Sequence, residues 1–319
     1  MSRIDKWINE KEMPNLSNAE RLIALLYDLG IASLDQLIIL TGWNAQKINQ
    51  ALHDIRNRVP IPAMLKRDKK ILAMCKKGEI KLSEAERLKL EASLKDRKAK
   101  LDKEREKWLV AYQAHKTAKA YYTLGVEGIR YATLMRREPF TKWKITPRQQ
   151  TNHYHGINEI LVRLRKAGIK ENDWLCGREA EQELYYYFNR FKKRKKLPAK
   201  TKLYYRPDAY LVLDHQHDFF IEYDTSSESP SKLKRRFQNC LKLYQALKEV
   251  EAKLMPPIVW VTVRESRKRR IEEIAQEVLE DYRQDHDGEN IIVPPSVCFV
   301  EGEDTKFFAG QIDPKPFWC

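Results

Sequence analysis

A chain of 319 residues, 33% charged and 42% hydrophobic, holds enough apolar material for two cores and reads as a globular protein. Its net charge of +15 points to a polyanionic partner, nucleic acid before membrane, and no apolar run reaches bilayer length. Five scattered cysteines (Cys75, Cys176, Cys240, Cys298 and Cys319) lack CxxC spacing, which argues against a disulfide framework or a zinc site and suits reduced intracellular thiols.

The first stretch, Asn15–Arg58, carries three short helical patterns. Ser17 or Asn18 caps the first, in which Leu22, Ile23, Leu25, Leu26 and Leu29 recur at helical spacing before Gly30. Ser33 caps the second, and Asn44 caps a third over Ala45–Asn57, buried through Ile48, Leu52 and Ile55. Short helices, a Gly turn and a polar-faced helix are the pattern of a helix-turn-helix. The third helix exposes Gln46, Lys47, Asn49, Gln50, His53 and Arg56. Asn and Gln can bond the adenine edge, while Lys and Arg reach guanine or phosphate. A solvated face of a plain three-helix core gives the same pattern, and the basic charge tips the reading toward double-stranded DNA.

Ile61–Ala118 reads as an inserted helical arm. Ser83-Glu-Ala-Glu86 is a capping box, and Leu94, Leu101 and Trp108 fall seven apart. Glu91, Lys98 and Arg105 spoil the companion seam, so a solvated helical hairpin is expected rather than a coiled coil. Lys66, Arg67, Lys69, Lys70, Lys76, Lys77 and Lys81 load its near end with charge for solubility or phosphate contact. The apolar stripe of the arm, without an evident local partner, makes a homo-oligomer an expectation.

Arg136–Thr151, with Pro139 and Pro147, is the candidate domain boundary. His153–Lys166 is helical, with His153 and His155 read as capping or packing residues. Arg178–Phe191 is an acidic-to-basic helix ending in Lys192, Lys193, Arg194, Lys195 and Lys196, a run suited to tracking a phosphate backbone. Glu179 and Glu183 on it are secondary acidic candidates.

Ala209–Leu213 and Phe219–Tyr223 then read as a β-hairpin. With Asp214–Asp218 as the loop, Leu213 pairs with Phe219, and Asp208, Glu222 and Asp224 gather on one face. Three converging carboxylates suit a hard cation, Mg2+ or Mn2+, although strand-start and turn roles explain each acid separately. Lys232–Val250 is a helix, Pro257–Val263 a buried strand, Arg269–Arg283 a helix, and Ser296–Val300 the last strand.

Pro207-Asp208, fourteen residues before Glu222-Tyr-Asp224 and then a Lys/Arg-rich helix, resembles the core of PD-(D/E)XK nucleases. More narrowly it resembles the replication-relaxation family of bacterial plasmids and phages. The resemblance implies a winged helix, with Lys119–Gly128 as the returning wing strand and turn, and a cytoplasmic bacterial protein. Asp224 stands where the nuclease pattern has Lys, which sets Asp208, Glu222 and Asp224 as metal ligands without the usual ammonium. Lys232 or Lys234 on the following helix could replace it.

The expected class is α+β: residues 1–138 an N-terminal winged helix-turn-helix with a long helical insertion at 61–118, residues 139–319 a PD-(D/E)XK-like α/β sandwich. The expected function is DNA binding in replication, transfer or transcriptional control, needing no cofactor, with other replication or transfer proteins as further partners. A metal-dependent endonuclease is the alternative, and the sequence leaves enzyme activity open.

Overall fold

The computed structural model describes residues 2–113, 117–140, 148–195, 205–214, 217–245, 247, 252–286 and 290–318, with side chains described outside 189–195. Twelve α-helices and two sheets are present among them, so the chain is α+β. It divides into one unit of residues 13–38 and 43–148, and another of residues 1–12, 39–42 and 149–319.

In the first unit, α2 (Asn18–Leu29) begins at a capping box in which Ser17 and Glu20 exchange bonds. After β1 (Ala32–Ser33) comes α3 (Leu34–Thr41), where Ser33 and Gln36 satisfy each other's backbone N–H in the same way. Asn44 caps α4 (Ala45–Arg56) by accepting from the Lys47 N–H. Leu22, Ile23, Leu26, Ile48, Leu52 and Ile55 bury the facing sides of α2 and α4. Within this core Arg136 and Asp28 form an ion pair at 2.6 Å, both nearly fully buried, with Arg136 also donating to the Ala24 carbonyl.

The arm is a helical hairpin of α5 (Ala63–Lys76) and α6 (Glu84–Glu106), tied by Arg97 to Asp68 at 3.4 Å. It ends earlier than the sequence suggests. Glu106 closes α6, and β2 (Leu109–Tyr112) follows, pairing antiparallel with β3 (Tyr121–Leu124) in a sheet of order β1-β3-β2. Trp108 is therefore no member of a seven-residue stripe. Its ring packs beside Tyr131 and beneath Arg58, while Leu101 is buried. The apolar stripe offered as a reason for self-association is thus largely covered inside the unit. Next, α7 (Val126–Arg136) fits against this turn because Gly128 has no side chain; a Cβ there would lie 2.4 Å from the Trp108 carbonyl oxygen.

The second unit is a five-stranded sheet, ordered β4 (Glu171–Cys176), β5 (Ala209–Leu213), β6 (His217–Asp224), β7 (Ile258–Thr262), β8 (Ser296–Val300). The pairs β4–β5 and β5–β6 are antiparallel, and β6–β7 and β7–β8 parallel. One layer consists of α9 (Arg178–Lys195), α10 (Pro230–Gln245) and α11 (Glu265–Asp285), burying Phe188, Phe237, Tyr244, Ile274 and Leu279 with Phe220 and Trp260 of the sheet. On the remaining elements, α8 (Thr151–Lys166) packs against β6 and α12 (Glu303–Phe308) against α8 and β8.

The division differs from the expected 1–138 and 139–319 in three places: residues 1–12 and 39–42 fall with the second unit, and the first unit runs on to residue 148. Residues 1–12, expected in the first domain, belong with the second unit, because α1 (Arg3–Ile8) buries Ile4 and Trp7 and is held by charge. Arg165 donates to Asp5 at 2.8 Å and to Ser2 at 3.0 Å, and Arg3 reaches Glu179 at 3.1 Å. Glu179 is thereby committed to packing α1.

Candidate functional site

The hairpin register is two residues from the expected one. Leu213 pairs with His217 and Leu211 with Phe219, so Asp218, expected in the loop, lies within β6. Asp214 turns the chain at φ 50°. Asp218 looked like a loop acid, but it accepts hydrogen bonds from Tyr210 at 2.9 Å and from Tyr187. A shift of two preserves side-chain parity, so Asp208, Glu222 and Asp224 keep a common face of the sheet.

Asp208 precedes β5 and is clamped by β6: its N–H donates to the Ile221 carbonyl, and its Oδ2 accepts from the Tyr223 N–H, both at 2.9 Å. Glu222 and Asp224 are buried near the end of β6. Each acid meets a protein cation. Arg236 of α10 donates through Nη2 to Glu222 Oε2, lies 3.7 Å from Asp208 Oδ2, and reaches Glu228 through Nη1 at 3.3 Å. Arg267 of α11 grips Asp224 bidentately, Nε to Oδ2 at 2.6 Å and Nη2 to Oδ1 at 3.0 Å. His153 of α8 lies with Nε2 3.1 Å from Asp208 Oδ1.

These contacts set the protonation states. Burial opposes charge on His153, but the adjoining Asp208 carboxylate overcomes it and raises the ring's pKa. Burial likewise opposes charge on Asp208, yet His153, Arg236 and the Tyr223 N–H hold its pKa below the usual value. Glu228 is shifted upward by burial and by Asp208 and Asp224.

The group opens on a cleft of about 520 Å3 lined by Gln149, Gln150, Asn152, His153, Thr225, Ser227, Glu228, Lys232 and Arg236, among others. Of the two lysine candidates, Lys232 lines this cleft, whereas Lys234 is taken by Asp281 at 2.7 Å. Glu183 is apart from the cluster, its pKa raised by burial and Asp173. Among the described residues, no group of three or more His, Cys, Asp or Glu could hold a metal ion. The expected trio Asp208, Glu222 and Asp224 is split: Asp208 and Glu222 share Arg236, while Asp224 belongs to Arg267.

Arg236, Arg267 and Glu228 escaped the sequence reading as site residues, and His153, read there as a capping or packing residue, instead lies against Asp208. Arg236 was accessible to that reading, because it follows Lys232 by one helical turn and so shares its face of α10. Arg267 and His153 are 43 and 55 residues from their acids and carry no local signal.

In the first unit, Gln46, Asn49, Gln50 and His53 are exposed on α4, with Lys47 and Arg56 partly covered. Lys47 rests over the Trp43 ring at 4.4 Å, Gln50 donates to Asp54 at 2.7 Å, and Asn57 contacts the His53 ring. Asp54 is an exposed acid on this otherwise polar and basic surface. Lys66, Arg67, Lys69, Lys70, Lys76, Lys77 and Lys81 are all exposed on the arm. The side chains of Lys192, Lys193, Arg194 and Lys195, and all of Lys196, lie outside the described residues, as does His215.

Fold and site together define a two-unit α+β protein with a charge-compensated carboxylate cleft. The replication-relaxation family model matches residues 85–257, more than half of the chain. The protein belongs to the replication-relaxation family. The match covers α6 to the approach to β7, including His153, Asp208, Glu222, Asp224 and Arg236, but neither α4 nor Arg267. No curated protein and no solved structure matches the chain.

Proposed function

We propose that this protein binds duplex DNA in plasmid or phage replication or transfer, and that its second unit has a nuclease-like fold without cleavage activity. The first unit's α2, α3 and α4, followed by the β2–β3 ribbon, have the layout of a winged helix, with α4 as recognition helix and β2–β3 as wing. The observation that carries DNA binding is the outward face of α4. Gln46, Asn49, Gln50 and His53 are exposed there on a helix fixed by the Asn44 cap. The lysines of α5 supply salt-sensitive attraction to phosphate.

For the second unit, the antiparallel β4–β5–β6 continuing into parallel β7–β8, with α10 between β6 and β7, supports the nuclease-like reading. Cleavage is disfavoured by charge. Phosphodiester hydrolysis needs a cation at the scissile phosphate and a partner for the attacking water. Asp208, Glu222 and Asp224 are already answered by His153, Arg236 and Arg267, so this donor set does not fit a catalytic metal.

Fluorescence anisotropy of the full chain on family-plasmid fragments and on scrambled duplex tests the reading. Gln46→Ala and Gln50→Ala should narrow the gap between the two by about 1–3 kcal/mol for each bidentate base pairing removed. Equal, unchanged binding to both duplexes by wild type and variants would remove α4 from the account.

A further inference from the structure

Glu222 is fully buried, with Oε2 held by Arg236 and Oε1 lacking a hydrogen-bond partner among the described residues. Asp208 presents Oδ2 to the same Arg236 nitrogen at 3.7 Å. Two carboxylates converging on one cation, one of them with a spare buried oxygen, form the donor geometry of a hard divalent ion. A guanidinium stands where the ion would. It is also anchored: Nη1 reaches Glu228 at 3.3 Å, and its carbon lies 5.1 Å from the centre of the Trp260 ring.

We infer that Arg236 is the resident cation of a latent divalent-metal pocket formed by Asp208 and Glu222, so that removing this one side chain opens a Mg2+ or Mn2+ site. The inference deepens the reading of the second unit as nuclease-like but inactive, and it rests on that reading. Guanidinium cannot shed its proton, so the slot stays positively charged at every physiological pH. A divalent ion entering the wild-type protein would meet that charge at contact distance. Asp224 cannot draw the ion aside, because both its oxygens are bonded to Arg267. Without Arg236, the buried Glu222 beside Asp208 loses the cation it is bonded to, while His153 stays with Asp208 and Glu228 adds negative charge nearby, a costly arrangement that metal relieves. Water from the adjoining cleft can complete the coordination shell.

The test uses the full chain as wild type, Glu222→Gln, Arg236→Met, Arg236→Gln and Arg236→Met/Glu222→Gln. Bound Mn2+ is measured by loss of the free-ion paramagnetic resonance signal, and Tm is read with and without Mn2+. The wild type should bind no Mn2+ and keep its Tm. Arg236→Met should bind Mn2+ and gain about 5 °C at saturating metal, and the double variant should lose both responses. If the Arg236 variants fold only when Mn2+ is present, the inference also stands. It fails if wild type binds Mn2+ in a Glu222-dependent manner, if a folded Arg236→Met ignores Mn2+, or if Mn2+ does not rescue unfolded variants. Glu222-dependent Mn2+ binding by wild type without DNA cleavage would overturn this inference alone. Mn2+-dependent cleavage by wild type would overturn the inactive reading with it.

Discussion

Arg267 and Asp224 are joined by two hydrogen bonds, 2.6 and 3.0 Å long, at the end of β6. Asp224 is fully buried and Arg267 nearly so. The same guanidinium donates to the Glu228 carbonyl at 2.8 Å, so it also fixes the turn that leads into α10. Breaking one partner of a buried pair strands the other charge. Arg267→Ala should therefore cost about 3–5 kcal/mol in urea unfolding of the full chain. Arg267→Lys should recover only part, since an ammonium cannot reproduce the fork. A loss below about 1 kcal/mol would show that Asp224 is stabilised some other way.

Glu20 gives the first unit a pH-dependent stability. Burial works against its charge, but bonds from Tyr131, the Ser17 backbone and the Ser17 hydroxyl, with Arg58 nearby, lower its pKa to about 2. A depressed carboxylate stabilises the fold fully above its unfolded pKa, near 4.5, and loses that contribution as the pH falls toward 2. Glu20→Gln should thus be less stable than wild type by about 1–2 kcal/mol at pH 7, through the weakened cap. The gap should close on acidification. Unfolding curves between pH 7 and pH 2.5 check this, and a gap independent of pH would contradict it.

Gly156 sits beneath the Tyr223 ring so closely that a Cβ would lie 2.0 Å from Cε1. Tyr223 cannot swing away freely, because its hydroxyl donates to Glu301 at 2.7 Å. Gly156→Ala should destabilise by about 1–3 kcal/mol through overpacking, although alanine is the better helix former. Adding Tyr223→Leu should return part of that loss. Equal stability of Gly156→Ala and wild type in a thermal melt would show that α8 can slide on the sheet.

Much of the architecture is legible wherever one side of an element is consistently apolar. The helices α2 and α4, the strand Ile258–Thr262 and the strand Ser296–Val300 all carry such patterns, and all are found. β4 is illegible because it opens Glu171-Asn-Asp173, which reads as a polar turn. Glu171 is nonetheless buried, neutralised by Arg165 of α8, and no local pattern foretells that pairing. β2 is hidden because Trp108 continues the seven-residue spacing of α6 into the next element. At the site, parity within strands suffices to group Asp208, Glu222 and Asp224, but the cations that divide them come from three separate helices. Tertiary packing alone decides that Arg236, rather than Lys232 or Lys234, lies between the acids.

The basic arm should contribute affinity without sequence preference. Replacing Lys66, Lys69 and Lys70 with Gln should weaken binding to all duplexes alike. It should also make the slope of log K against log salt shallower, by about 0.9 for each phosphate that is no longer neutralised. Binding titrations at a series of salt concentrations measure this directly. An unchanged slope would assign those lysines to solubility.

The claim that α4 meets the bases is tested most directly by photocrosslinking. With Gln50→p-benzoylphenylalanine in the full chain, irradiation on a bound plasmid fragment should yield an adduct mapping to a base within the protected site. The same replacement at exposed Glu91 of α6 should give no base adduct. A strong crosslink from Glu91 with none from Gln50, at saturating DNA, would contradict α4 as the recognition helix.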